Sequence, residues 1–263
     1  MSKVIDISKN IEKMAPVFLK EDYDNVGIMV GDPSQDVKKA LLALDCTNEV
    51  IDEAIENNCD MIIAHHPLLF RRPKSIVKGE ILGDKVFKLI KEDITLYACH
   101  TNLDSARNGI NETIVNMLGF DSDEIIEPHD KNLYKDCGIG RIIRLDTSIS
   151  LDDVIENVKK NLNINNLRVV RGREEIKTIA VINGSGQDFF NAAERLGADC
   201  IITGDTTYHF VSDYKEMGVS IIDAGHFGTE FVVFLKTLEF LKDEFKDVEF
   251  INSNKSKDPY EFV

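Results

Sequence analysis

Along the chain, short apolar runs alternate with amphipathic stretches. Val4, Ile7, Ile11 and Met14 recur at helical spacing, and Pro16 closes the helix they predict. A polar loop over 21–27 leads into a short strand at Ile28–Val30, with a turn from Gly31 to Pro33. Ala40–Leu44 reads as a buried strand ending at Asp45-Cys46-Thr47, and Glu49–Asn57 as a helix with Val50, Ala54 and Ile55 inward. The run Met61–Ala64 predicts the next buried strand, which stops at His65-His66-Pro67, because Pro67 ends any ladder. A helix over Lys78–Glu92 and a strand over Ile94–Ala98 follow. After them come Cys99-His100-Thr101-Asn102-Leu103-Asp104 and a helix over Asn111–Leu118, capped by Gly119.

From about 125 to 178 the pattern is less regular. Ile139–Leu145 alternates like a strand with one polar side, Ser150 and Asp153 start a helix running to about Leu162, and Leu167–Val170 is another strand. This half-polar alternation predicts antiparallel pairing. Ile179–Asn183 then leads to Gly184-Ser185-Gly186. The helix Phe189–Leu196 and the strand Cys200–Ile202 precede Gly204-Asp205. Val219–Ile222 runs into Asp223-Ala224-Gly225-His226, the last helix extends to about Phe245, and Val248–Ile251 is a short strand. The polar end from Asn252 is expected to be loosely held.

An internal repeat organises these elements. An offset of 139 residues places Ala40–Leu44 on Ile179–Asn183, Ile62 on Ile201, and His65-His66 on Gly204-Asp205. An offset of 126 places His100 on His226 and Asp104 on Glu230. The fold class is therefore α/β, built from two related β-α-β-α-β units with mixed sheets. The sequence divides into a first lobe over 1–125 and a second over 126–263, interlocked as one unit.

Composition narrows the function classes. A formal net charge of −15 argues against nucleic acid and anionic membrane as partners. No apolar run reaches the ~18 residues of a membrane span. The N-terminus lacks the apolar segment and cleavage site of a signal peptide. The five cysteines form no C-x-x-C pair, which predicts reduced core thiols in a cytoplasmic protein and marks none as a nucleophile.

The candidate chemistry lies at strand ends, where open α/β sheets bind ligands. His65 and His66 end a buried strand. Neighbouring strand residues point to opposite faces, so two cations, one per histidine, suit the pair better than one. His100-x-x-x-Asp104 and His226-x-x-x-Glu230 each put an imidazole and a carboxylate on one face if a helix starts there. Mixed nitrogen and oxygen donors favour zinc, iron, manganese, cobalt or nickel over calcium or magnesium. Arg71-Arg72-Pro73-Lys74, the densest positive charge, follows the histidines and is a candidate anion contact. Gly184-Ser185-Gly186 reads as a tight strand–helix turn, with backbone approach to a phosphate as the alternative. Asp205 and His209 read either as partners of the metal ligands or as structural residues.

Asp24-Asn25-Val26-Gly27, Ala64-His65-His66-Pro67, His100-Thr101-Asn102-Leu103-Asp104, Gly204-Asp205 with Tyr208-His209, and Gly225-His226 with Glu230 together resemble the NIF-three-like family. Its bacterial members are often labelled GTP cyclohydrolase 1 type 2 homologs. The motifs run in order from about residue 20 to 230. The resemblance implies a two-lobed fold with two divalent metal ions per chain, usually assembled as a homohexamer. It implies that His65 and His66 each bind one metal, that Asp104 and Glu230 supply carboxylates with Glu230 as the bridge, and that His226 completes the set. Tyr23 stands where members often carry Trp, and the inserted domain of longer members is missing.

Two functions follow from this reading. One is a dinuclear metal-dependent hydrolase acting on a nucleotide or phosphorylated small molecule. In its GTP cyclohydrolase form, water adds at C8 of guanine, formate is released, and Arg71, Arg72 or Lys74 contacts the triphosphate. The other is a non-catalytic metal-binding or assembly protein that forms a hexameric ring.

Overall fold

A computed structural model describes residues 1–129 and 136–263 of the chain. Its strands are β1 (Gly27–Val30), β2 (Lys39–Ala43), β3 (Met61–Ala64), β4 (Thr95–Ala98), β5 (Glu124–Pro128) and β6 (Gly138–Ser150). They continue as β7 (Arg168–Val170), β8 (Glu175–Ser185), β9 (Cys200–Gly204), β10 (Ser220–Asp223) and β11 (Glu249–Asn252). The helices are α1 (Val4–Met14), α2 (Asn48–Glu56), α3 (Ile81–Lys91), α4 (Thr101–Ser105) and α5 (Ile110–Met117). After them come α6 (Leu151–Asn161), α7 (Phe190–Arg195), α8 (Tyr208–Glu216), α9 (His226–Thr237) and α10 (Leu241–Glu244). Among the described residues no helix is long and apolar enough to cross a membrane.

Two compact units result, Met1–Leu103 with Phe234–Lys257, and Asp104–Val233 with Asp258–Val263. The sequence division at 125 follows chain order alone, whereas each compact unit takes in a second, later segment.

The first unit holds a sheet of order β1-β4-β3-β2-β11, in which only β1 runs antiparallel to its neighbour. Leu41, Ala43, Ile62, Ala64 and Leu96 alternate along their strands onto one buried face, where Val50, Ile51 and Ala54 of α2 and Val86 and Leu89 of α3 pack. Each such Leu or Ile, fully buried, contributes about 1.5–3 kcal/mol. The Thr47 hydroxyl caps α2 by accepting from Val50 N–H at 3.2 Å.

The second unit holds a sheet of order β5-β6-β8-β9-β10-β7. β8, β9 and β10 are parallel, and β5, β6 and β7 supply the antiparallel pairing expected of the irregular middle region. Ala180, Ile182, Ile201 and Ile221 meet Phe190, Ala193 and Tyr214 in its core.

The repeat is visible in strand register. Ala40 pairs with Met61 and Ile179 with Cys200, which preserves the offset of 139. The third strand departs from the sequence expectation. Ala64 pairs with Ala98 and Thr203 with Asp223, an offset of 125, although the histidines beyond match at 126. Cys99 N–H donates to Ala64 O, and Ala224 N–H donates likewise to Thr203 O. The extra residue is therefore Gly225, whose φ of +75° suits glycine.

Four expected boundaries are corrected. α3 starts at Ile81 rather than Lys78, because Asp84 turns back to accept from Gly79 N–H at 2.8 Å. The last helix is interrupted after Thr237 and resumes as α10. β6 extends to Ser150 because a register irregularity between Arg144 and Ile149 breaks the alternation without ending the strand. The C-terminal segment expected to be loose is pinned over residues 253–256, while Tyr260, Phe262 and Val263 beyond it are exposed. Ser256 Oγ accepts from Leu44 N–H at 2.9 Å, buried Glu53 accepts from Asn254 N–H at 2.8 Å, and the Ser253 hydroxyl donates to the same carboxylate.

Candidate functional site

In the first unit, His65 and His66 follow β3 directly. Their N–H groups donate to Ala43 O and Leu44 O at 3.2 and 2.9 Å. Both residues lie past the end of the β3 ladder, so strict alternation no longer separates their side chains. Their ring centroids are 5.1 Å apart, and His100 lies 5.2 and 5.5 Å from them. One ring nitrogen from each of the three falls within 4.8 Å of the others.

Each of these rings is held by its Nδ1. His65 Nδ1 meets Cys99 O at 2.8 Å, His66 Nδ1 meets Asp45 Oδ1 at 2.8 Å, and His100 Nδ1 meets Asp24 Oδ1 at 2.9 Å. An oxygen acceptor at Nδ1 selects the tautomer with its proton there, so Nε2 carries the lone pair. Asp24 is itself fixed by the Thr101 N–H and hydroxyl. Burial opposes its charge, but the hydrogen bond from His100, the positive field His100 has once acid protonates it, and those Thr101 donors outweigh burial and hold its carboxyl at about 2.

Beside His100 lie Phe70, with ring centroids 6.1 Å apart, and then Tyr23, 6.1 Å from Phe70. Both aromatic rings are substantially exposed, as are Arg71, Arg72 and Lys74 immediately after Phe70.

In the second unit, His226 begins α9. Its Nδ1 meets Asp205 Oδ2 at 2.7 Å, and its Nε2 meets Glu230 Oε2 at 2.9 Å. The i,i+4 spacing thus brings imidazole and carboxylate together, as helix geometry requires. Asn183, at the end of β8, donates from Nδ2 to Asp104 Oδ1 at 2.9 Å and to Glu230 Oε1 at 2.8 Å. Asp104 and Glu230 are both buried.

Glycines make the space for this arrangement. A Cβ at Gly184, the counterpart of Asp45, would lie 2.3 Å from Glu230 Oε1. A Cβ at Gly204, the counterpart of His65, would lie 2.7 Å from the backbone of Gly225 and His226. The backbone at Gly225 and His226 therefore leaves no room for a side chain at the position that matches His65. The phosphate alternative for Gly184-Ser185-Gly186 is not what the structure uses, because Gly184 N–H donates to Thr229 Oγ1 and Gly186 N–H donates to Gly184 O.

Asp205 is a direct partner of His226. His209 is exposed on α8, and its ring packs edge-on against Tyr208. Asp24, Asp45 and Asn183 carry roles that sequence reasoning did not assign. Asp45 and Asn183 carried a signal, since both stand at the ends of repeat strands, whereas Asp24 was marked only by the motif around it.

The donors could hold a metal ion. Imidazole nitrogens anchored at Nδ1 are the form that ligates, and carboxylates beside them supply charge. The 2.9 Å between His226 Nε2 and Glu230 Oε2 is close to the ~3 Å separating two ligands that share a cation at ~2.1 Å.

The sequence matches the family described as Duf34/NIF3 (NGG1p interacting factor 3) over residues 2–259. A Clostridium perfringens protein named GTP cyclohydrolase 1 type 2 homolog is 51% identical, with 99% of this chain and 100% of that protein covered. The crystal structure of Staphylococcus aureus protein SA1388 superposes with a TM-score of 0.89 at 30% identity, covering 100% of this chain and 99% of that one. The crystal structure of a Bacillus cereus protein related to NIF3 gives 0.87 at 26% identity, covering 100% and 99%. With the family match spanning nearly the whole chain, this protein belongs to the Duf34/NIF3 family.

Proposed function

We propose that this chain is a metal-dependent hydrolase. In this reading His65 and His66 would each hold one of two divalent cations, Asp104 and His226 would add donors, and Glu230 would be the carboxylate shared between them. The observation that carries it is the anchoring of His65, His66, His100 and His226 at Nδ1 by oxygen acceptors, which orients each Nε2 as a metal ligand would need, that of His226 beside Glu230 Oε2. A divalent cation bound there would supply a water of lowered pKa and a Lewis acid for a carbonyl or phosphoryl oxygen. The chain's own residues orient the donors: Asp45 and Asp24 hold His66 and His100, and Asp205 holds His226.

The substrate class we propose is a nucleotide or other phosphorylated small molecule. Support comes from exposed Tyr23 and Phe70, which offer aromatic faces next to His100, and from Arg71, Arg72 and Lys74, which offer charge for phosphate. GTP is the first candidate, after the name its relatives carry. We also propose a homohexamer, the assembly the family resemblance implies; the exposed apolar side chains Ile81, Phe87 and Ile90 of α3 support self-association without setting its number. A cytoplasmic location is supported by five cysteines, all buried as free thiols.

The test is elemental analysis of protein purified without chelator, followed by turnover assays with GTP and phosphoesters against an Asp104→Ala control. About two divalent ions per chain and turnover lost in the control are expected. Glu230→Ala and Glu230→Gln should each lose at least one ion while remaining folded. Metal uptake without turnover on any substrate would favour a binding protein, and no uptake after reconstitution would sink the metal reading.

A further inference from the structure

Asn183 is buried, and both hydrogens of its amide are committed. One Nδ2 donates to Asp104 Oδ1 and to Glu230 Oε1, at 2.9 and 2.8 Å. Its Oδ1 accepts from Asn111 Nδ2 at 2.8 Å, and its backbone N–H donates to Asn111 Oδ1 at 3.0 Å. Asn111 is fully buried, and its Nδ2 also donates to the Asp104 carbonyl at 3.2 Å. This pairing fixes which way the Asn183 amide faces, because a flipped amide would turn its oxygen toward two carboxylates. Behind Asp104, Arg141 donates to Ala106 O at 3.0 Å and to Glu112 at 2.7 Å, so the first turn of α5 braces the same segment twice.

Two buried carboxylates repel each other, and their separation would ordinarily be set by the cation between or beside them. Here one neutral amide holds both, using one oxygen of each. The second oxygen of Glu230 is turned to His226 Nε2. We infer that Asn183 is a positioning residue that presets Asp104 and Glu230 as a metal-ligating pair before any cation arrives. The inference rests on the metal reading above and adds a residue with no donor atom for the metal.

The test compares wild type with Asn183→Leu, which keeps the approximate volume and removes the donor. Zinc affinity of each folded protein is titrated by competition with a chromophoric chelator, and melting temperatures are recorded without metal. Zinc binding 10–100-fold weaker in the variant is expected, the cost typical of removing a group that orients a ligand. Asn183→Asp, which adds a third carboxylate, should melt lower without zinc and gain more from zinc than wild type does. A folded Asn183→Leu protein with wild-type zinc affinity would overturn the inference, whatever its melting temperature. If that variant does not fold, Asn183→Ser takes its place in the same comparison. Side-chain amide resonances of Asn183 in nitrogen-15-labelled, metal-free wild type supply a readout independent of zinc. They should shift in Asp104→Asn, and resonances that do not move overturn the inference. No zinc uptake by wild type, with those resonances shifting as expected, sinks the metal reading and with it the ligating role of the pair, and leaves only the amide's hold on the two carboxylates.

Discussion

Asp205 holds the His226 ring through a 2.7 Å contact between Oδ2 and Nδ1, and does so from a left-handed backbone at φ +51°. Aspartate tolerates that conformation better than most residues, yet the position still costs something relative to glycine. The strained residue follows β9 directly and stands where the first unit has His66. An acid in the second unit thus takes the place of an imidazole in the first and serves the next histidine along.

Replacing Asp205 by glycine removes the acceptor and relieves the backbone. Zinc affinity should fall about 10–100-fold, with stability changed by less than ~1 kcal/mol because the pair is partly exposed. Asp205→Asn retains an oxygen for Nδ1 and should fall between. Chelator competition and chemical denaturation on the same samples check both statements, and unchanged zinc affinity in Asp205→Gly would contradict the role.

Gly184 carries φ +54° and faces Glu230 Oε1 where a Cβ would stand. Gly184→Ala should destabilise the metal-free protein by about 1–3 kcal/mol through backbone strain and the displaced carboxylate. It should also lower metal stoichiometry. A stable variant with full metal content would show that the close approach relaxes at no cost.

Asp24 titrates at about 2 in the folded chain, below the ordinary 3.8 of a free aspartate. A depressed folded value means that its stabilisation is present above pH 3.8 and is lost as pH falls toward 2. The loss should be on the order of 2 kcal/mol in metal-free protein. Denaturation midpoints measured from pH 5 to 2 should therefore drop in wild type and drop less in Asp24→Asn. Parallel curves for the two proteins would rule the linkage out.

Burial pushes the Cys59 thiol up to about 11 from an ordinary 9, and the fully buried Cys200 is raised as well. The folded state keeps these protons longer than the unfolded chain does. Stability should thus be complete below pH 9 and decline as pH rises toward 11. Cys59→Ala and Cys200→Ala should each reduce that alkaline slope in denaturation series, and slopes equal to wild type would contradict the assignment.

The sequence carried the parts of the fold that depend on local periodicity. Met61–Ala64 and Cys200–Ile202 are recognisable as buried strands because every position is apolar, and His65-His66 mark the strand end directly. Partners distant in sequence left no such trace. Asp24 meets His100, Asn111 meets Asn183, and Glu53 holds Ser253, each pair joined only by the tertiary fold. The polar C-terminal end looked like a solvated tail because Ser253 and Ser256 gain partners only when β11 sets them beside Glu53 and Leu44. Gly225 was visible as part of a motif but not as an insertion, because an offset matched on histidines cannot report a residue inserted before them.

That inserted glycine also constrains how the second unit can change. An imidazole at 204 would meet the backbone of residues 225 and 226. Gly204→His in the natural chain should therefore be selected against, while loss of Gly225 alone would draw His226 back toward the strand and away from Asp205. A second histidine pair at 204 and 205 would also remove Asp205, the acceptor that holds His226, so the backbone at 225 and the anchor at 205 both keep the repeats different.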